Sequence, residues 1–225
     1  MCIISSKEET AGGLPTGTSG QTLRHDGTNW VANSLLFNDG GNVGIGTTSP
    51  GAKLEVAGAI KATALQIPGT VANVVTVQTR TQGTYEAPAS GNGTAVTPLN
   101  IVITPKKAGN KIILEWIVNG EAHHNIVYIV TRNGELLANT TDAFNNRWAG
   151  ITAQPDDDNI SSTPDNAVVK IIDMNSLDVE TTYELRVRVS GGTAHILYLN
   201  RCADSAGKDH YEANLSTGIA MEIWQ

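Results

Sequence analysis

Basic residues are scarce in this chain of 225 residues: 15 Lys and Arg stand against 22 Asp and Glu, a formal net charge of -7. With no basic field to gather phosphates, nucleic acid is excluded as an expected partner. Only two cysteines are present, Cys2 and Cys202, far apart in the sequence. They match neither a zinc-ligand spacing nor a disulfide framework, and they read as separate thiols. No apolar run approaches the roughly 20 residues of a membrane span, so no membrane insertion is expected. The opening MCIISSKEET has no basic region ahead of its short apolar run, which reads as a chain made in a cytoplasm without a signal peptide. Charged residues are 16% and aromatic ones 5%.

Glycine is plentiful instead, with 23 residues, alongside many Thr, Asn, Val and Ile. That balance favours short strands and turns, and the expected class is all-β. The segment RHDGTNWVA places Asp26-Gly27 at a hairpin turn between Leu23 and Trp30. From Leu36 to Leu65, brief apolar runs around Leu36-Phe37, Val43-Ile45 and Leu54-Ala57 are separated by turn formers. None can bury itself, and identical chains around a common axis are the cheapest cover. We therefore expect a trimeric β-prism or intertwined collar over residues 16–80, after an N-terminal segment at 1–15. RTQGTYEAPASGNGTA lacks periodicity, which sets a linker at 81–95 and a main domain at 96–225.

In that domain Tyr183, Leu185, Val187 and Val189 alternate with Glu184, Arg186 and Arg188, a strand with one wet face. KIILEWIV at 111–118 is apolar throughout except for Lys111 and Glu115, and is expected to be buried on both faces, covered by a second layer or by a neighbouring subunit. Further strands are expected near 99–104, 126–132, 166–174, 193–200 and 217–224, with turns at Asn119-Gly120 and Asn133-Gly134. Seven or eight strands in about 130 residues give a β-sandwich or jelly roll.

GGNVGIGTTSP at 40–50 imitates a phosphate cradle, and both readings of it fail. After Gly44 and Gly46 no third glycine arrives, and Pro50-Gly51 opens no helix. Read as a phosphate loop, Ala52 intrudes before Lys53 and no Ser or Thr follows that lysine. Tight turning and close backbone approach explain the glycines. No catalytic signature stands out, no cofactor is expected, and the chain reads as a non-enzyme. His123 and His124 are adjacent, so in an extended chain they point to opposite faces. Asp156, Asp157 and Asp158 are weak metal candidates that lack the spacing of a calcium loop, and no metal site is assigned. Asn145, Asn146, Arg147 and Trp148 group planar donors with a flat apolar face, suited to sugar or peptide recognition. Arg201, Lys208, His210 and Tyr211 near the last strand join His123 and His124 as further binding candidates.

Asn42-Val43-Gly44-Ile45-Gly46-Thr47-Thr48-Ser49-Pro50, then Lys53-Leu54-Glu55-Val56 and Gly58-Ala59-Ile60-Lys61-Ala62, resembles a segment common in bacteriophage tail fibres. Gly17-Thr18-Ser19-Gly20-Gln21-Thr22-Leu23-Arg24 with Asp26-Gly27-Thr28-Asn29-Trp30-Val31-Ala32 resembles the repeat that precedes it in fibre-like and large surface proteins. More loosely, Ile103-Thr104-Pro105, Asn200-Arg201 and Ala220-Met221-Glu222-Ile223 are similar to fibre heads of marine and cyanobacterial phages. Those heads resemble the trimeric jelly roll of the tumour necrosis factor superfamily. The resemblance implies a homotrimeric virion protein, assembled in the host cytoplasm. Its N-terminus would dock to a tail hub, baseplate or capsid, and its head would bind a host surface glycan or protein. A capsid decoration or head-fibre protein, a surface lectin-like module, and a polysaccharide depolymerase are the alternatives. The helical self-cleaving domain that ends many such fibres has no counterpart here.

Overall fold

The computed structural model describes residues 15–62, 65–122, 124–137, 150–154, 164–174, 176–189, 192–204 and 213–225. The chain divides into two compact units, Met1–Ala64 and Leu65–Gln225. No α-helix occurs among the described residues; apart from one 3-10 turn at Thr97–Leu99, regular structure is strand.

The first unit is a four-stranded sheet in the order β1 (Gln21–His25), β2 (Trp30–Asn38), β3 (Val43–Ile45), β4 (Leu54–Val56). The expected Asp26-Gly27 hairpin is present: His25 pairs with Trp30, and the Asp26 carboxylate accepts the backbone N–H groups of Thr28 and Asn29, both at 2.8 Å. The turn from β2 to β3 repeats the device, with Asp39 accepting from Gly41 and Asn42 at 2.7 Å. Four donors are thereby satisfied in two exposed turns. β3 then pairs with β4 in parallel, through a connection far shorter than the dozen or more residues usual for parallel neighbours.

The second unit carries β5 (Val71–Thr79), β6 (Gly83–Ala87), β7 (Thr94–Ala95), β8 (Ile101–Ile103), β9 (Lys111–Ala122), β10 (Ile126–Arg132), β11 (Glu135–Leu136), β12 (Thr152–Gln154), β13 (Asp165–Asp173), β14 (Thr181–Val189), β15 (His195–Leu199) and β16 (Ser216–Ile223). One sheet runs β5-β16-β9-β15-β6, with β13 also paired to β9. The other runs β11-β10-β14-β7, with β12 on β10 and β8 on β14. They form sandwich-like layers around one core that includes Trp116, Tyr128, Tyr183, Leu114 and Leu185. Several polar atoms entering that core are met. The Trp116 indole N–H donates to the Leu99 carbonyl at 2.9 Å, and the Tyr128 hydroxyl donates to Gln154 at 2.7 Å. The Tyr183 hydroxyl donates to Asp173, whose two carboxylate oxygens also accept from one nitrogen of Arg132. Burial raises the pKa of both tyrosines, and Asp173 adds to the effect at Tyr183, so each phenol stays a donor.

Several expectations are corrected. Residues 71–79 and 83–87, expected in the collar and linker, are strands of the sandwich, because β5 pairs along β16 and β6 along β15. Asn119-Gly120 is no turn: β9 continues to Ala122, and a side chain at 120 would meet the Tyr198 carbonyl 2.5 Å away. Asn133-Gly134 is the expected turn, with φ of 50° and 85°. On β14 the alternation holds for the buried side, but Arg188 is also buried, and desolvation lowers its pKa. Most instructive is β9. Ile112, Leu114, Trp116 and Val118 are buried, whereas Ile113, Glu115 and Ile117 lie on an open face. The strand buried on both sides is β10, where Val127, Ile129 and Thr131 are enclosed as fully as Tyr128 and Val130, and Gly150 packs onto Val127.

Candidate functional site

In the first unit the GGNVGIGTTSP segment is a self-contained backbone knot. Asn42 donates its amide to the Pro50 carbonyl at 3.0 Å, Val43 N–H donates to Lys53, and Gly46 N–H donates to Leu35. Lys53 caps the Gly41 carbonyl at 3.0 Å. Gly44 is required, since a Cβ there would sit 2.3 Å from the Thr47 carbonyl oxygen, and Gly46 has φ of 74°. Thr47 accepts the Ser49 N–H through its hydroxyl at 3.2 Å, and Thr48 and Ser49 lie in the same bend. These donors and acceptors are spent on each other, which is architecture and leaves no convergent set for a phosphate.

What this unit leaves open is apolar. Among its described residues only Gly44 and Pro50 are buried. Trp30 is 57% exposed, Leu35 66% and Leu54 59%, with Leu23, Leu36, Ile45 and Ile60 similarly placed. Side chains of this size gain about 1.5–3 kcal/mol each when fully buried, and much of that is unrealised here.

In the second unit the structure gathers planar groups at one end of the sandwich. His124, after β9, stacks on His195 at the start of β15, with ring centroids 4.4 Å apart and planes at 29°. The Thr193 hydroxyl lies 3.3 Å from His195 Nε2, and His124 Nδ1 is buried with no hydrogen-bond partner among the described residues. Three residues along β15, Tyr198 points to the opposite face and carries the Arg201 guanidinium 4.9 Å above its ring. Ala194, His195, Ile196 and Tyr198 line a shallow cleft of about 180 Å³.

Asn200 fixes this end. Fully buried, with φ of 57°, it donates its amide to the Thr79 and Thr81 carbonyls at 3.0 Å each and accepts from the Ser216 hydroxyl at 2.6 Å. One side chain thus ties the end of β5 and the start of β16 to the turn that presents Arg201, which donates to the Cys202 and Ala203 carbonyls. Cys202 itself is a buried thiol. Glu121, buried beside Tyr198 in the ladder, accepts the Ala203 N–H at 2.7 Å. Stacking surfaces with oriented donors suit a sugar or a peptide better than an anion.

Of the expected binding residues, His124 and Arg201 are therefore at the same end of the sandwich. His123, Asn145, Asn146, Arg147, Trp148, Lys208, His210 and Tyr211 lie outside the described residues, as do Asp156, Asp157 and Asp158. His195 and Tyr198 escaped the sequence reading; alternation along 195–199 separates their faces, but no spacing links His195 to His124. Among the described residues no group of three or more His, Cys, Asp or Glu could hold a metal. A larger cleft of about 300 Å³ lies elsewhere, beside Arg132, Glu135 and Asp173, where the arginine is already engaged by Asp173.

No protein-family model matches the chain, and no curated protein matches it. Among solved structures it is similar to dimeric latent PorU from Porphyromonas gingivalis, with 12% identity and a TM-score of 0.34. That match covers 74% of this chain and 14% of PorU.

Proposed function

We propose that this chain is a non-enzymatic, homotrimeric virion protein of the tail-fibre type, whose second unit touches the host cell surface during adsorption. The observation that carries the reading is the first unit, whose strands are hydrogen-bonded yet leave their large apolar side chains in solvent. Three chains wrapped around one axis bury those side chains with no further partner. The segment that resembles the fibre collar is the same segment whose glycines permit tight backbone approach.

The pairing β5-β16-β9-β13 opposite β8-β14-β10-β12 supports a jelly-roll head, the form the resemblance implies. Residues 1–15 are proposed to dock the chain to other virion proteins. At the head, the Tyr198–Arg201 pair and the His124–His195 stack, on opposite faces of β15, offer two contact patches for a host glycan or protein. Three weak sites on one stalk raise the effective affinity by about 10²–10⁴. The test is competition: purified full-length chain is expected to coat host cells and block adsorption of the particle that bears it, and Arg201→Ala is expected to weaken that block. Coating by a chain that leaves adsorption untouched would remove the receptor role.

A further inference from the structure

The second unit covers the outer face of one sheet and leaves that of the other bare. On the covered side β10 is buried on both faces. On the bare side the register aligns outward residues into rows across four strands. One row is Ile172, Ile113, Met221 and Val74, and the next is Lys170, Glu115, Ile219 and Thr76. Outer faces of antiparallel sheets are ordinarily polar; here large aliphatic side chains share the face with Thr76, Gln78, Thr217 and one ion pair, Lys170 to Glu115 at 3.0 Å.

That face has relief. Among the described residues β13 pairs only with β9, so it forms an edge ridge on which Val168 and Ile172 are 52% and 47% exposed, with Lys170 between them. Towards the opposite edge lies a depression of about 290 Å³, bordered by Thr76, Gln78, Glu115, Ile117, Thr217 and Ile219. Ridge and depression therefore carry opposite charges, Lys170 on one and Glu115 on the other.

We infer that the occupant of this face is a second copy of the chain, with the β13 ridge of one head seated in the β5-β16-β9 depression of the next. The inference rests on the three-chain reading above and names the contact between heads. Ridge and depression are different surfaces, so the contact is heterologous; repeated about an axis, it closes into a ring. Lys170 then faces Glu115 of its neighbour. On this face Lys170 and Glu115 offset each other within a chain of -7, so two copies approach it with less repulsion than their remaining surfaces exert. Four strands about 4.8 Å apart over seven residues give about 450 Å² of flat area. That is roughly half of the 800 Å² each partner gives to a standard interface. Alone it would be weak. Joined through the first unit, the heads meet at an effective concentration in the millimolar range, where such a contact suffices.

Paired cysteines in the full-length chain test this. Lys170 and Ile219 both oppose Glu115 from either side, as Val168 and Thr217 oppose Ile117, so each pair is two strand spacings apart. That separation, about 9.6 Å, is beyond the reach of a disulfide within one chain. In a Cys2→Ser background, Lys170→Cys with Ile219→Cys, or Val168→Cys with Thr217→Cys, is expected to yield reducible species of two and three chains on mild oxidation. Each single variant is expected to yield none. Solution mass is measured on the same samples before oxidation. A three-chain mass with no cross-link from either double variant overturns the head contact and leaves the fibre reading standing; a one-chain mass overturns both.

Discussion

Trp30 and Trp116 both sit on antiparallel strands, yet one is 57% exposed and the other is fully buried with its indole N–H on a backbone carbonyl. Around Trp116 two sheets close on each other and the chain supplies its own core. Around Trp30 one sheet of four strands has no second layer of its own, and its order rests on turns, caps and backbone bonds. Marginal stability is expected of such a sheet alone, since three or more strands need a hydrophobic face that is covered. Satisfied backbone polarity defines a shape; covered apolar surface makes it stable.

The comparison is broken most directly at its centre. Trp116→Ala is expected to destabilise the second unit by about 3–5 kcal/mol, read by denaturant unfolding, through a large cavity and the loss of a donor to Leu99. Trp30→Ala is expected to leave that transition unmoved and to raise the concentration at which chains assemble. An equal effect of both substitutions on the unfolding of the second unit would erase the distinction. Asn200→Ala comes next. It leaves the Thr79 and Thr81 carbonyls without their donor, at about 2–3 kcal/mol, in the same denaturant assay. Gly44→Ala is smaller, about 1–3 kcal/mol, confined to the first unit because the added methyl meets the Thr47 carbonyl oxygen, and its readout is weakened assembly with an unaltered second unit.

Acid sharpens the contrast with the smallest effect. Asp26 and Asp39 are held below the ordinary 3.8 because backbone N–H groups donate to each carboxylate. A lowered folded-state pKa favours the folded form above the unfolded value. The contribution is therefore complete well above 3.8 and disappears as pH falls through the folded values. Exchange protection of the turns at 26–29 and 39–42 is expected to fall in that window, before the core of the second unit responds. Loss in the opposite order would contradict it.

Much of the strand pattern was legible, because period 2 is directly visible where one face is apolar. β13, β14 and β16 appear within a residue or two of their expected places. For β9, KIILEWIV is apolar on both faces and calls for a second layer or a neighbouring subunit; within one chain the Trp116 face is covered and the Ile113–Ile117 face is open. Local pattern hid β10's two-sided burial, where Gly150 packs onto Val127. The boundary at 81–95 was misplaced for a related reason. Thr79 and Thr81 fall in the expected collar and linker, but their carbonyls are held by Asn200, more than a hundred positions away. At the candidate site, Arg201 was visible as part of the Asn200-Arg201 pair, whereas the His124–His195 stack is a product of topology with no local signal.

The most direct test of the account is the solution mass of the full-length chain by light scattering across a dilution series. Burial of Trp30, Leu35 and their neighbours by identical chains predicts a mass three times that of one chain, persisting until the first unit dissociates. A one-chain mass at every concentration, with the exposed side chains of the first unit still in solvent, would contradict it.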